Sequence, residues 1–164
     1  MGTGKTVVGR ALARKLGFIF VDLDARIEEK EKITIGEIFK TKGEPYFRAI
    51  EKETLSDAAR QKGTVISCGG GIVLDPDNMS RMKETGICVC LSASPREILK
   101  RIGATTHRPL LHGGEPLDRI QSLLSTRDPF YRLADILIDT TQLSIEEIAA
   151  TIHQKLPPAY NYKK

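Results

Sequence analysis

The chain has 164 residues, 40% of them hydrophobic and 28% charged, with a net charge of +4, the figures of one globular domain with room for a single core. Its positive charges are scattered and only 5% of its residues are aromatic, which speaks against nucleic acid and suits a small anionic ligand. No apolar run approaches the ~20 residues of a membrane span and no secretory pattern is visible, so the expectation is a cytoplasmic monomer.

The first letters, "MGTGKT", read as the end of a phosphate loop, G-x-x-x-x-G-K-[ST], whose first glycine would fall just before residue 1. Met1, Gly2 and Thr6 also fit an N-myristoylation pattern, but no polybasic cluster follows to support membrane binding. Val7, Val8, Ala11, Leu12 and Leu16 recur at helical spacing, and Gly17 supplies a stop. "FIFVD" from Phe18 is a buried strand, and a polar helix follows through "ARIEEKEK". Thr34 and Glu37 form a capping box for a short helix that Gly43 breaks, and Pro45 opens a long helix to about Gln61. "TVISC" from Thr64 is a second strand, running into Gly69-Gly70-Gly71. Pro76 to Thr85 is helical and "ICVCL" from Ile87 is a third strand. Cys68, Cys88 and Cys90 lack the partners of a zinc site and read as reduced, buried thiols. A helix from Pro95 to Ile102 precedes the irregular, glycine-bounded stretch "GATTHRPLLHGGEPL". Leu117 to Tyr131 is helical, "DILID" from Asp135 is a fourth strand, and Ser144 with Glu147 caps a last helix to Leu156. "PPAYNYKK" is a tail.

Short strands alternating with helices imply an α/β fold, a parallel sheet covered on both faces, with ligands at the C-terminal ends of the strands. The chemistry-bearing residues fall at such ends. Around Gly2, Thr3 and Gly4 backbone N–H groups can close on phosphate, with Lys5 reaching the β- and γ-phosphates of ATP and the Thr6 hydroxyl ligating Mg2+. Asp22 and Asp24, two apart, would point to one side of extended backbone, one serving the metal and the other a substrate hydroxyl; alternatively Asp24 only caps the next helix. Arg48 and Glu51 share a helix face, either as a surface pair or as a guanidinium fork for a substrate carboxylate. Gly69, Gly70 and Gly71 allow close approach of backbone to ligand, and Ser67 before them suits the metal's water shell. Arg108, flanked by His107 and His112, reads as the cation of a lid, and Arg127 as a further anion-binding arginine.

In this order and spacing, "GTGKT", "DLD", "FRAIE", "CGGG", "RPLL" and "RDPFY" resemble the shikimate kinase family over nearly the whole chain to Leu156. The resemblance implies a three-layer fold like that of the nucleoside-monophosphate kinases, as one domain over residues 1–156 with 157–164 as a tail. Residues 24–61 would be its substrate-binding helical segment and 103–117 its lid. It implies ATP-dependent phosphorylation of the 3-hydroxyl of shikimate, in the pathway to chorismate and the aromatic amino acids. Arg48 and Arg127 would hold the shikimate carboxylate, and Gly70 and Gly71 the ring substituents. Asp24 would bind the hydroxyls and take the reacting proton. Asp22 and Ser67 would lie near magnesium, Arg108 would bridge nucleotide and substrate, and Arg101 would occupy the adenine-stacking position.

The front of the chain departs from the family, whose fold begins with a strand and a further glycine. That strand lies centrally, between "TVISC" and "ICVCL", so the expected fold lacks its central first strand. Losing about four buried apolar residues removes ~6–12 kcal/mol, against a domain stability of ~5–15 kcal/mol. The expectation is a chain barely stable, or not folded, unless another segment fills the slot, either because its true start lies a strand's length upstream or because it is a shortened gene product. Two other readings stay open: a P-loop kinase of another hydroxy acid such as gluconate, and a remnant that binds shikimate without turnover.

Overall fold

The computed structural model describes residues 2–103 and 115–160. The expected lid arginine Arg108, with His107, His112 and most of the 103–117 stretch, lies outside the described residues.

Helix α1 (Lys5–Leu16) buries Val8, Leu12 and Leu16 at four-residue spacing, and Gly17 ends it with φ 70, its N–H turned back to the Ala13 and Arg14 carbonyls. Strand β1 (Ile19–Asp22) leads into α2 (Leu23–Glu31), α3 (Ile35–Thr41) and α4 (Gly43–Ala59). The Thr34–Glu37 capping box forms as expected, and α4 starts at Gly43 itself, with φ 81, two residues ahead of Pro45. Strand β2 (Thr64–Ser67) is followed by a 3-10 turn at Ile72–Leu74, then α5 (Pro76–Thr85), β3 (Val89–Ser92) and α6 (Pro95–Gly103). The chain continues through α7 (Pro116–Tyr131), β4 (Ile136–Asp139) and α8 (Ile145–Lys155), the last capped by Ser144 and Glu147. Beyond α8, Pro158–Tyr160 makes a 3-10 turn, and Tyr160 packs against the cluster of Leu12, Ile138 and Ile152.

The strands are parallel, but they form two pairs. β1 pairs with β2 in a register that sets Asp22 beside Ser67, and β3 pairs with β4 so that Ser92 stands beside Asp139. Among the described residues no strand joins β2 to β3. A cavity of about 1340 Å³ separates them, lined by Val65 and Ile66 of β2, Val89 and Leu91 of β3, and Leu12 and Leu16 of α1. This is the place where the sequence left the sheet without a central strand. With one partner each, the strands are not buried throughout as expected: Ile19 and Leu137 stay 61% and 54% exposed. Helices still cover both pairs, and separate apolar clusters form around Leu23 and Leu55, around Ile27 and Ile38, and around Ile98 and Ile120.

Candidate active site

The phosphate loop is built by left-handed glycines. Gly2 and Gly4 take φ 67 and 88, a region that costs other residues strain, and they bring the chain to the N-terminus of α1. Its free N–H groups and partial positive charge favour an anion there. Lys5 is the first residue of α1 and is half-buried. Thr3 is buried, and its carbonyl lies 3.4 Å from the Thr140 hydroxyl, which also donates to the Ser92 carbonyl at 2.8 Å. Arg101 is tied to that same threonine: its Nη1 donates to Thr140 Oγ1 at 3.0 Å, its Nη2 to the Thr140 carbonyl at 2.8 Å and its Nε to Glu97 at 3.0 Å. The residue expected on the nucleotide is therefore fixed against the base of the phosphate loop.

On the other side of the loop the Thr6 hydroxyl donates to Asp22 Oδ2 at 2.8 Å. Asp22 ends β1 beside Ser67, and its Oδ1 accepts the Ala25 N–H at 3.3 Å, so it is the N-cap of α2. Asp22 and Asp24 thus do not share extended backbone, and Asp22, not Asp24, is the cap, because the helix begins at Leu23 and Asp24 stands in its first turn. Asp24 instead faces the triple-glycine loop, its Oδ1 3.2 Å from where a Cβ on Gly69 would stand. Thr6, Asp22 and Ser67 offer only oxygen donors, and among the described residues no three His, Cys, Asp or Glu side chains are placed to hold a metal by themselves. That set fits Mg2+, which keeps waters and substrate phosphates in its shell instead of filling it with protein groups.

The anion-binding side centres on Arg48. Its Nη1 donates to Glu51 Oε2 at 2.6 Å, and Glu51 is 1% exposed. Burial pushes the Glu51 carboxyl above its ordinary value, with Asp24 adding to the rise and Arg48 and Arg127 pulling it back. Arg127, on α7, thus belongs to the same electrostatic cluster as Arg48. Gly69 and Gly71 avoid positive φ, so what they supply is room: a Cβ on Gly71 would sit 2.6 Å from Arg48 Nη2, and one on Gly69 3.0 Å from Glu51 Oε1. The expected surface-pair alternative for Arg48 and Glu51 gives way to this buried arrangement.

Three further residues shape the site without a local motif to mark their contacts. Glu44 takes the Nε and Nη2 of Arg48 on one oxygen, at 3.1 and 2.9 Å, and only its i−4 spacing hinted at this. Thr140 carried no motif. Tyr131 stood within "RDPFY", yet its contact, a hydroxyl donated to the Gly70 carbonyl at 2.7 Å, spans 61 positions. The cysteines are free, as expected, but half-buried where full burial was expected.

Comparison with known proteins bears on the whole arrangement. The family model described as shikimate kinase matches residues 1–157. A shikimate kinase of Thermodesulfovibrio yellowstonii is 48% identical over 152 residues, covering 93% of this chain and 88% of the relative. One from Thermoanaerobacter pseudethanolicus is 43% identical over 152 residues, covering 93% and 89%. Among solved structures, shikimate kinase from Acinetobacter baumannii in complex with shikimate superimposes with a TM-score of 0.90 at 39% identity, over 94% of this chain and 87% of that one. From motif order, strand-end site and matched length alike, the chain belongs to the shikimate kinase family.

Proposed function

We propose that the chain transfers the γ-phosphoryl group of ATP to the 3-hydroxyl of shikimate, giving shikimate 3-phosphate and ADP on the route to the aromatic amino acids. The family membership supports the reaction, and one observation supports the roles given to residues. At a single end of the strands stand an oxygen-donor pair, Thr6 with Asp22, and a half-buried guanidinium, Arg48, held by the buried Glu51 under Gly71. A phosphate-and-metal side and a carboxylate side so placed suit one polyhydroxylated acid and one nucleotide.

In this reading Arg48 and Arg127 receive the shikimate carboxylate, Glu51 keeps the Arg48 fork oriented, and the backbone of Gly69, Gly70 and Gly71 lines the ring. Asp24 accepts the 3-hydroxyl and takes its proton as that oxygen bonds to the γ-phosphorus and the bond to the β–γ bridging oxygen breaks. Gly2, Thr3, Gly4 and Lys5 cradle the phosphates, Arg101 lies against the nucleotide base, and Arg108 is assigned to the lid. Mg2+, held by Thr6 and Asp22 with Ser67 in its water shell, would neutralise charge across the β- and γ-oxygens. A cytoplasmic monomer binding neither nucleic acid nor membrane is the companion proposal; among the described residues no helix is long and apolar enough to cross a membrane.

The test is ADP release that requires both ATP and shikimate, with gluconate as the control acceptor. Turnover on shikimate alone supports the reading, and turnover on gluconate would replace it. A second reading is favoured by the cavity between β2 and β3 behind the phosphate loop: binding of shikimate without turnover. Calorimetric binding in the absence of ADP release would select it.

A further inference from the structure

Tyr131 closes α7, one helical turn beyond Arg127, and is half-buried. Its hydroxyl donates to the Gly70 carbonyl at 2.7 Å. The neighbouring Gly71 is buried and lies against Arg48, where a Cβ would stand 2.6 Å from Nη2. A continuous path therefore joins the two arginines: from the Arg48 guanidinium to the Gly71 backbone, to the Gly70 carbonyl, to the Tyr131 hydroxyl, and back one turn of helix to Arg127.

We propose that Tyr131 is a positioning residue that sets the separation of Arg48 and Arg127, and hence the grip of the pair on a carboxylate, by anchoring α7 to the Gly70 carbonyl. The inference rests on the carboxylate-binding reading given above and adds to it the element that fixes the pocket's width. The chemistry of the ring supports it. Burial raises the Tyr131 pKa while the nearby positive charge of Arg127 lowers it in part. The hydroxyl thus stays protonated near neutrality and keeps its hydrogen for the Gly70 carbonyl. A longer or shorter link would spread or close the two guanidinium groups, and a bidentate carboxylate site tolerates little of either.

The experiment compares binding of shikimate and of its carboxamide, which keeps the ring hydroxyls and lacks the charge, to the full chain by calorimetry. The variants are Tyr131→Phe and Tyr131→4-aminophenylalanine, the second keeping a donor at the same ring position. The expected result is that Tyr131→Phe loses about tenfold in affinity for shikimate, the weight of one hydrogen bond, and little for the carboxamide, and that the amino variant recovers the preference. A thermal midpoint shared by all three proteins would accompany it. Equal losses on both ligands, or an unchanged preference in Tyr131→Phe, overturn the inference while leaving the carboxylate reading intact. No preference for the acid in the unaltered chain overturns both. Should Tyr131→Phe fail to fold, the amino variant decides alone: a retained preference supports the proposal, and a lost one overturns it.

Discussion

Asp22 makes two different hydrogen bonds, accepting the Thr6 hydroxyl on one oxygen and the Ala25 N–H on the other. Asparagine keeps the cap and removes the charge that Mg2+ needs. Asp22→Asn is therefore expected to melt close to the unaltered chain while needing at least about tenfold more Mg2+ for half-maximal activity, as a metal titration of ADP release would measure. Cys68 shows the opposite effect of surroundings. Burial, with Glu51 and Asp24 nearby, pushes its thiol up to about 12. At pH 8 its thiolate fraction falls roughly a thousandfold below that of an ordinary thiol. Maleimide labelling followed by mass spectrometry should leave Cys68 unmodified when an exposed reference cysteine is complete. At this scale the sequence disclosed the charged and glycine positions, because their types are uncommon in such short motifs. It did not disclose Thr140, whose hydroxyl meets Thr3 across 137 positions, since nothing local marks so distant a contact.

The helices were the legible elements, and their caps explain why. Ser144 accepts the Glu147 N–H and donates back to its carboxylate, closing the start of α8 within four residues. Side-chain and backbone donors of Ser144 hold the Glu147 carboxyl below its ordinary value. A depressed carboxyl contributes its stability above the ordinary glutamate pKa and loses it as the pH falls through the lowered value. Glu147→Gln should thus lower the thermal midpoint near pH 7 and match the unaltered chain near pH 3, in paired melting curves. Strand ends were harder to read, and Asp24 suffered for it. The apolar letters of "FIFVD" continue smoothly into Leu23, yet the Asp22 cap turns the backbone into a helix there. Period alone does not register a cap that sits on a strand's last residue.

For the molecule as a whole, the sequence disclosed the parallel α/β layering and, through the shortened phosphate loop, the break in the sheet. It could not disclose how the rest would settle around that break. The structure answers with two separate strand pairs, β1 with β2 and β3 with β4, which share the apolar face of α1: Val65 of β2 and Ile138 of β4 belong to one cluster with Leu12 and Leu16. The edges of β2 and β3 that face the cavity lack a strand partner among the described residues, and one extended, apolar segment could supply it. A variant carrying such a segment and a glycine ahead of Met1 is expected to melt at least about 10 °C higher, since burying about four apolar side chains is worth ~6–12 kcal/mol; differential scanning calorimetry measures it. The cavity of about 1340 Å³ between the pairs opens to solvent and is walled by Leu12, Val65, Ile66, Val89 and Leu91. Water that wets such walls gains by leaving them, so the folded chain should take up a fluorescent apolar dye there that the extended variant excludes.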